Sequence, residues 1–126
     1  MIFGIGTDIV EYARIAAAYA RHGERFAQRV LSLSELPELH GHACPARLLA
    51  KRFAAKEAFA KAVGSGLRHP VSLRGISIVH DTWGKPVLRF DVALREHLER
   101  LGVVGQHLSI SDERGMIVAF VVLEKL

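Results

Sequence analysis

Residues Pro45 to Gly66 read PARLLAKRFAAKEAFAKAVGSG, and this stretch decides the fold. Pro45 suits the first turn of a helix, where its missing N–H would lack a partner anyway. The run to Val63 is dominated by Ala, Leu, Lys, Arg and Glu, all strong helix formers. Gly64-Ser65-Gly66 then supplies a stop in the expected place. These signals predict one long, dominant helix. On its N-terminal side, IFGIGTDIV (residues 2–10) is mainly β-branched and apolar with a single carboxylate, Asp8, the pattern of a strand that ends near a site. Between the two, IAAAYARHGERFAQRVL is rich in helix formers and broken once at Gly23, and Ser32 or Ser34 is placed to cap a further short helix.

Beyond the long helix, RGISIVHD and PVLRF read as short strands joined through TWGK, a hairpin with Gly84 in its turn. Asp91 is placed to cap the amphipathic helix VALREHLERLG, which ends at Gly102. QHLSISDE and GMIVAFVVLE form a second hairpin through Arg114-Gly115. No repeat, low-complexity tract or linker interrupts this order. The expectation is a single α+β domain over residues 1–126, an antiparallel sheet packed on one long helix plus short helices.

Of the 126 residues, 50% are hydrophobic and 24% charged, a balance that predicts a buried core and argues against disorder. The longest apolar run, Met116 to Leu123, is far shorter than the roughly 20 residues of a membrane-spanning helix. MIFGIGTDIV lacks a basic region and carries Asp8 within its apolar stretch, so it does not read as a signal peptide. With a single cysteine, Cys44, no internal disulfide is available; the expectation is a cytoplasmic protein in which Cys44 is an ordinary thiol. The net charge of +4 suits an acidic partner. No Lys/Arg block marks that partner as nucleic acid.

Gly4-Ile5-Gly6 invites a dinucleotide-binding reading, but the third glycine of that fingerprint is replaced by Ile9. These glycines instead permit another backbone or a ligand to approach the strand closely, with Asp8 displayed near its end. A purely local role for Asp8, bonding the next backbone amides, competes evenly with this. On the long helix, at about 100° per residue, Ala50, Ala54, Glu57, Lys61 and Gly64 fall within one narrow stripe. Glu57 and Lys61 have the spacing of a solvated surface pair worth ~0.3–0.5 kcal/mol. Their small neighbours point elsewhere, because they clear room for a bulky anion or a strand. If Asp8 meets Glu57, two hard carboxylates without thiolate or histidine favour magnesium, with phosphate oxygens and water completing the shell and Lys61 neutralising phosphate charge.

His107, Ser109 and Ser111 alternate onto one strand face, which is as consistent with a solvated surface as with a ligand contact. Arg14, Arg21, Arg25 and Arg29 line one side of the early helices if those are continuous, either as a solvated face or as a basic docking surface.

Three segments, GIGTDIVEYARI, RFAAKEAFAKAVGSG and HLSISDE, occur in an order and spacing that resemble the signatures of the holo-acyl-carrier-protein synthase family, supported by TWGKP before the second hairpin strand. The resemblance covers essentially the whole chain. It implies the 4'-phosphopantetheinyl transferase fold, a homotrimer with coenzyme A held between subunits, and transfer of phosphopantetheine from coenzyme A to a serine of acyl carrier protein. It implies Asp8 and Glu57 as magnesium ligands and Lys61 beside the diphosphate. It further implies coenzyme A contacts from Gly64, Ser65, Gly84, Lys85, Pro86 and His107. Because acyl carrier proteins are small and strongly acidic, Arg14, Arg21 and Arg25 become the expected docking residues. Glu57, directly or through a metal-bound water, is the candidate base for the serine. Arg52 belongs to the middle motif but lies about 140° from Glu57 on an ideal helix, so it acts through another subunit or in structure.

Two other classes compete with this reading. A basic binding module would explain the charge but leaves Asp8 and Glu57 without a purpose. A magnesium-dependent nucleotide hydrolase keeps the carboxylates, but the commonest phosphate-binding loop, G-x-x-x-x-G-K-[ST], is absent.

Overall fold

A computed structural model describes residues 1–126. The long helix α4 spans Pro45–Val63, with Pro45 in its first turn and Gly64 closing it in the left-handed region at φ 97°. Its buried residues run around most of its circumference, from Leu48, Leu49 and Ala50 through Ala54, Ala55 and Ala58 to Phe59 and Ala62. A helix buried on so many sides lies inside the molecule. The rest of the chain wraps it.

On one side lies a three-stranded antiparallel sheet of order β1-β5-β4, formed by β1 (Ile2–Glu11), β4 (Val103–Glu113) and β5 (Met116–Lys125). Strands β4 and β5 turn through Arg114 and Gly115, both at positive φ (50° and 77°), as a tight hairpin requires. Their register puts Gly6, Val121 and Leu108 side by side, then Asp8, Ala119 and Ile110, on the face toward α4. A Cβ at Gly6 would fall on the carbonyl oxygen of Ala58, and one at Gly4 on that of Ala62. The glycines therefore serve the approach of a backbone, one of the two uses the sequence left open.

Helices α1 (Tyr12–His22) and α2 (Glu24–Val30) are separated at Gly23, whose φ of 56° breaks the axis, so the early arginines do not share one continuous helix. Neither Ser32 nor Ser34 caps the next helix, α3 (Leu36–His40). Glu35 takes the N-cap position and folds its side chain back onto the Ser32 amide at 2.9 Å, while the Ser32 hydroxyl accepts from Ser77 at 2.7 Å. The strands β2 (Ile76–His80) and β3 (Pro86–Phe90) form a two-stranded ribbon of their own. Helix α5 (Val92–Leu101) is capped by Asp91, which accepts from the Leu94 amide at 2.9 Å.

α4 also carries two buried cations, Arg52 and Lys56, at 4% and 0% exposure. They converge on the Glu35 carboxylate: Lys56 Nζ donates to it at 2.6 Å, Arg52 at 3.1 Å, and the Ser32 and Ile78 amides at 2.9 Å each. Lys56 Nζ also donates to the carbonyls of Val30 (2.7 Å) and Leu73 (2.9 Å), so all three of its protons are used. Burial lowers the Lys56 amine to about 8 against the pull of Glu35, whereas Glu35 is held below its usual range because these donors outweigh its own burial. Glu35→Gln leaves Lys56 buried without its counter-charge and lowers stability by about 3–5 kcal/mol, measured by urea unfolding. A loss under 1 kcal/mol would show that the pair is replaceable.

Candidate active site

Asp8 stands on β1 between Gly6 and Val10, on the face turned to α4, and 15% of its side chain is exposed. Lys61, in the last turn of α4, donates from Nζ to Asp8 Oδ1 at 3.2 Å and to the Thr7 carbonyl at 2.9 Å. A cation at a helix C-terminus is also favoured by the helix dipole. One turn earlier on the same stripe, the Glu57 carboxyl is raised above its ordinary range, first by burial and then by the Asp8 charge, with Lys61 acting in the opposite sense. Two carboxylates and one ammonium thus share the cleft between β1 and α4. The stripe's other small residues, Ala50 and Ala54, are fully buried, so their size serves packing.

No group of three or more His, Cys, Asp or Glu side chains forms a metal cluster. Asp8 and Glu57, whose carboxyl is raised by burial and then by the Asp8 charge, form a donor set for a hard divalent cation, which keeps its remaining positions for water and phosphate oxygens. Asp8 and Glu57 fit magnesium on that ground.

The remaining predicted residues lie elsewhere on the chain. Gly64 and Ser65 follow Lys61 directly, where Gly66 closes the helix by donating to the Ala60 carbonyl at 3.3 Å. Gly84 (φ 83°) and Lys85 are exposed at the turn of the β2–β3 ribbon, held by Asp81, which accepts from the Trp83 and Lys85 amides at 2.8 and 2.9 Å; Pro86 opens β3. No hydrogen bond or ion pair links this turn to Asp8, Glu57 or Lys61. His107 sits opposite Val122, on the sheet face turned away from α4, with Nε2 at 2.9 Å from Glu124. A single chain therefore assembles Asp8, Glu57 and Lys61 but leaves His107 on the far side of the sheet. Arg14 and Arg21 on α1 and Arg25 on α2 are exposed.

The family model of the 4'-phosphopantetheinyl transferase superfamily matches residues 4–119. This chain belongs to that superfamily. It is 55% identical to the holo-[acyl-carrier-protein] synthase of Nitrosomonas europaea, over 99% of this chain and 100% of the relative. The crystal structure of the holo-[acyl-carrier-protein] synthase from Neisseria meningitidis superposes with a TM-score of 0.96 at 51% identity, covering 99% of this chain and all of that one. The enzyme from Bacillus anthracis, solved in complex with CoA (3',5'-ADP), gives a TM-score of 0.83 at 37% identity, covering 100% and 99% of the two chains.

Members of this superfamily share the fold, yet two local features here escaped the sequence. The Glu35–Arg52–Lys56 network was signalled by two cations, four residues apart, within an apolar helical run. The Cys44 thiol has the Tyr12 hydroxyl 3.4 Å away, which, followed by the Arg47 amide, pulls it below its usual range.

Because folding raises the Glu57 carboxyl, its ionisation costs the native state stability that is lost as pH rises through the raised value. In metal-free protein at neutral pH, Glu57→Gln therefore moves the urea midpoint upward, and the gain shrinks in acid, where both side chains are neutral. A downward shift at neutral pH would mean that Glu57 holds the fold together.

Proposed function

We propose that residues 1–126 act as one magnesium-dependent, cytoplasmic holo-acyl-carrier-protein synthase domain whose chemistry runs at the Asp8–Glu57–Lys61 cleft. The chain is a phosphopantetheinyl transferase that moves 4'-phosphopantetheine from coenzyme A to a serine of apo acyl carrier protein. The observation that carries the site assignment is the meeting of two mutually repelling carboxylates with one ammonium across β1 and α4.

Asp8 and Glu57 hold magnesium, which supplies charge neutralisation at the diphosphate when bound. Lys61, now donating to Asp8 and the Thr7 carbonyl, turns an N–H toward a phosphate oxygen. Glu57 takes the serine proton at a carboxylate oxygen. The serine oxygen forms a bond to the phosphorus that carries pantetheine. The bond from that phosphorus to the departing 3',5'-ADP breaks, and its electron pair leaves with the nucleotide.

Gly64, Ser65, Gly84, Lys85, Pro86 and His107 are our assignment for the coenzyme A contacts, completed between copies of the chain. The sheet face carrying His107 also exposes Ile5 (58%), Ile9 (63%), Val118 (36%) and Phe120 (41%), an apolar surface of the kind that marks an interface. Closing three copies around this face would bring one copy's His107 toward its neighbour's cleft. Arg14, Arg21 and Arg25 then receive the acidic carrier protein.

Intact-protein mass spectrometry of apo carrier protein with this chain, coenzyme A and magnesium should show a gain of one phosphopantetheine. EDTA, Glu57→Gln or loss of the carrier serine should each abolish it. No gain across several carrier proteins would overturn the reading, and retained turnover in Glu57→Gln would remove Glu57 as base. Phe120→Glu should reduce a trimer to monomer in light scattering and stop turnover together; an active monomer would place the whole site within one chain.

A further inference from the structure

The sheet face turned away from α4 carries an ion pair across two strands. His107 on β4 and Glu124 on β5, both half-exposed, meet at 2.9 Å between Nε2 and Oε2. They are not directly opposite one another: His107 faces Val122 and Glu124 faces Gly105, so the contact is a diagonal one. From β1 the neighbours on this face are Ile2 beside Glu124 and Ile5 beside Val122, both apolar. The terminal ammonium of Met1 donates to the Lys125 carbonyl at 2.7 Å rather than to Glu124, which leaves His107 as the carboxylate's one ion-pair partner.

Gly105 makes the diagonal possible. A Cβ there would stand 2.9 Å from Glu124 Oε2, closer than such atoms approach, and the next nearest atoms also belong to Glu124. The backbone itself asks for no glycine, because Gly105 is not among the residues at positive φ. A glycine inside a strand loses more chain entropy on folding than other residues and packs nothing. Its steric use here is to let the Glu124 carboxylate lie over it, aimed at His107. That carboxyl is held below its ordinary range, first by the hydrogen bond from His107 and then by the charge of the ring, with desolvation opposing.

The pair occupies Nε2, and the ring makes no other hydrogen bond within the chain. With a carboxylate accepting from Nε2, only the doubly protonated ring has a second N–H, at Nδ1, to give to an anion, and Glu124 is the counter-charge of that form. We propose that Glu124 is a positioning residue for the transfer reaction: it fixes the His107 ring so that Nδ1–H is presented to a phosphate oxygen of coenzyme A, and Gly105 is the gap that lets it do so. The proposal rests on the assignment of His107 to the coenzyme A site. Glu124 does not touch the anion, which a bare carboxylate would repel; its effect passes through the ring.

The test is steady-state transfer by Glu124→Ala, Glu124→Gln and Gly105→Ala, each also made in a His107→Ala background. Light scattering follows assembly and thermal melting follows the fold. Glu124→Ala should raise the coenzyme A KM by roughly two- to fivefold, the scale of one exposed ionic contact, with kcat and the carrier KM unchanged. Glu124→Gln keeps an acceptor for Nε2 without the charge and should fall between Glu124→Ala and the wild type. Gly105→Ala removes neither partner, and its methyl displaces only the far end of a flexible side chain. Its melting temperature should therefore hold while its coenzyme A KM rises as in Glu124→Ala. In His107→Ala, none of the three should add a further change. A further rise there overturns the proposal by giving Glu124 an effect of its own. An unchanged KM in Glu124→Ala beside an impaired His107→Ala also overturns it, reducing the pair to a surface bridge while His107 keeps its place in the site. If His107→Ala leaves the coenzyme A KM unchanged, the assignment of His107 falls and the positioning role with it. A rise in KM that tracks a loss of assembly in Glu124→Ala overturns it by assigning the pair to the interface.

Discussion

The contact on which the site depends is between two backbones. β1 lies against α4 so closely that Gly6 and Gly4 leave no room for a Cβ before the carbonyls of Ala58 and Ala62. That approach is what carries Asp8 to within reach of Lys61 and makes its charge felt at Glu57. A larger residue at either glycine would push the strand outward, and the carboxylates would separate before the core lost much of its packing. The alanines of α4 belong to the same constraint, because a helix can offer its backbone to a strand only where its side chains are short.

The opposite side of α4 is organised by charge. Glu35, Arg52 and Lys56 join the end of α2, the start of α3, the loop after α4 and the first strand of the β2–β3 ribbon through one set of buried bonds. Every buried polar side-chain atom finds a partner. Apolar side chains of equal volume would have filled this space at similar or lower cost. What they lack is direction: a carboxylate with four donors fixes Ser32 after α2 and Ile78 on β2 against the two cations of α4.

Much of this was legible because it is local. Pro45, Gly64, Asp91, Gly102 and Arg114-Gly115 each act within a few residues, through a missing N–H, a positive φ or a cap, and the elements they bound were found where those rules put them. The Glu57–Lys61 stripe was legible for the same reason, since helical geometry converts spacing into a face. Ser32 and Ser34 misled because their hydroxyls have partners far away in sequence, and Ser32 answers to Ser77 rather than to α3. Arg52 could be assigned an angle from the sequence but not a role, because its partners Glu35 and Glu38 reach it only through tertiary packing. His107 shows the sharper limit. Alternation placed it on a shared face, and only the pairing of β4 with β5 shows that this face is turned away from the cleft.

The electrostatics of the cleft run against the stability of the chain itself. Glu57 is partly buried beside a second carboxylate, and Lys61 offsets only part of that repulsion from a largely exposed position. A fold optimised for stability would remove one acid. Keeping both leaves Glu57 raised by its burial and by the Asp8 charge, a cost to stability that the fold retains. The same logic applies to the exposed apolar face of the sheet. Ile5, Ile9 and Phe120 stand exposed on that face, an apolar surface of the kind that marks an interface. One sheet thus has two unlike faces, the inner committed to α4 and the outer apolar and exposed.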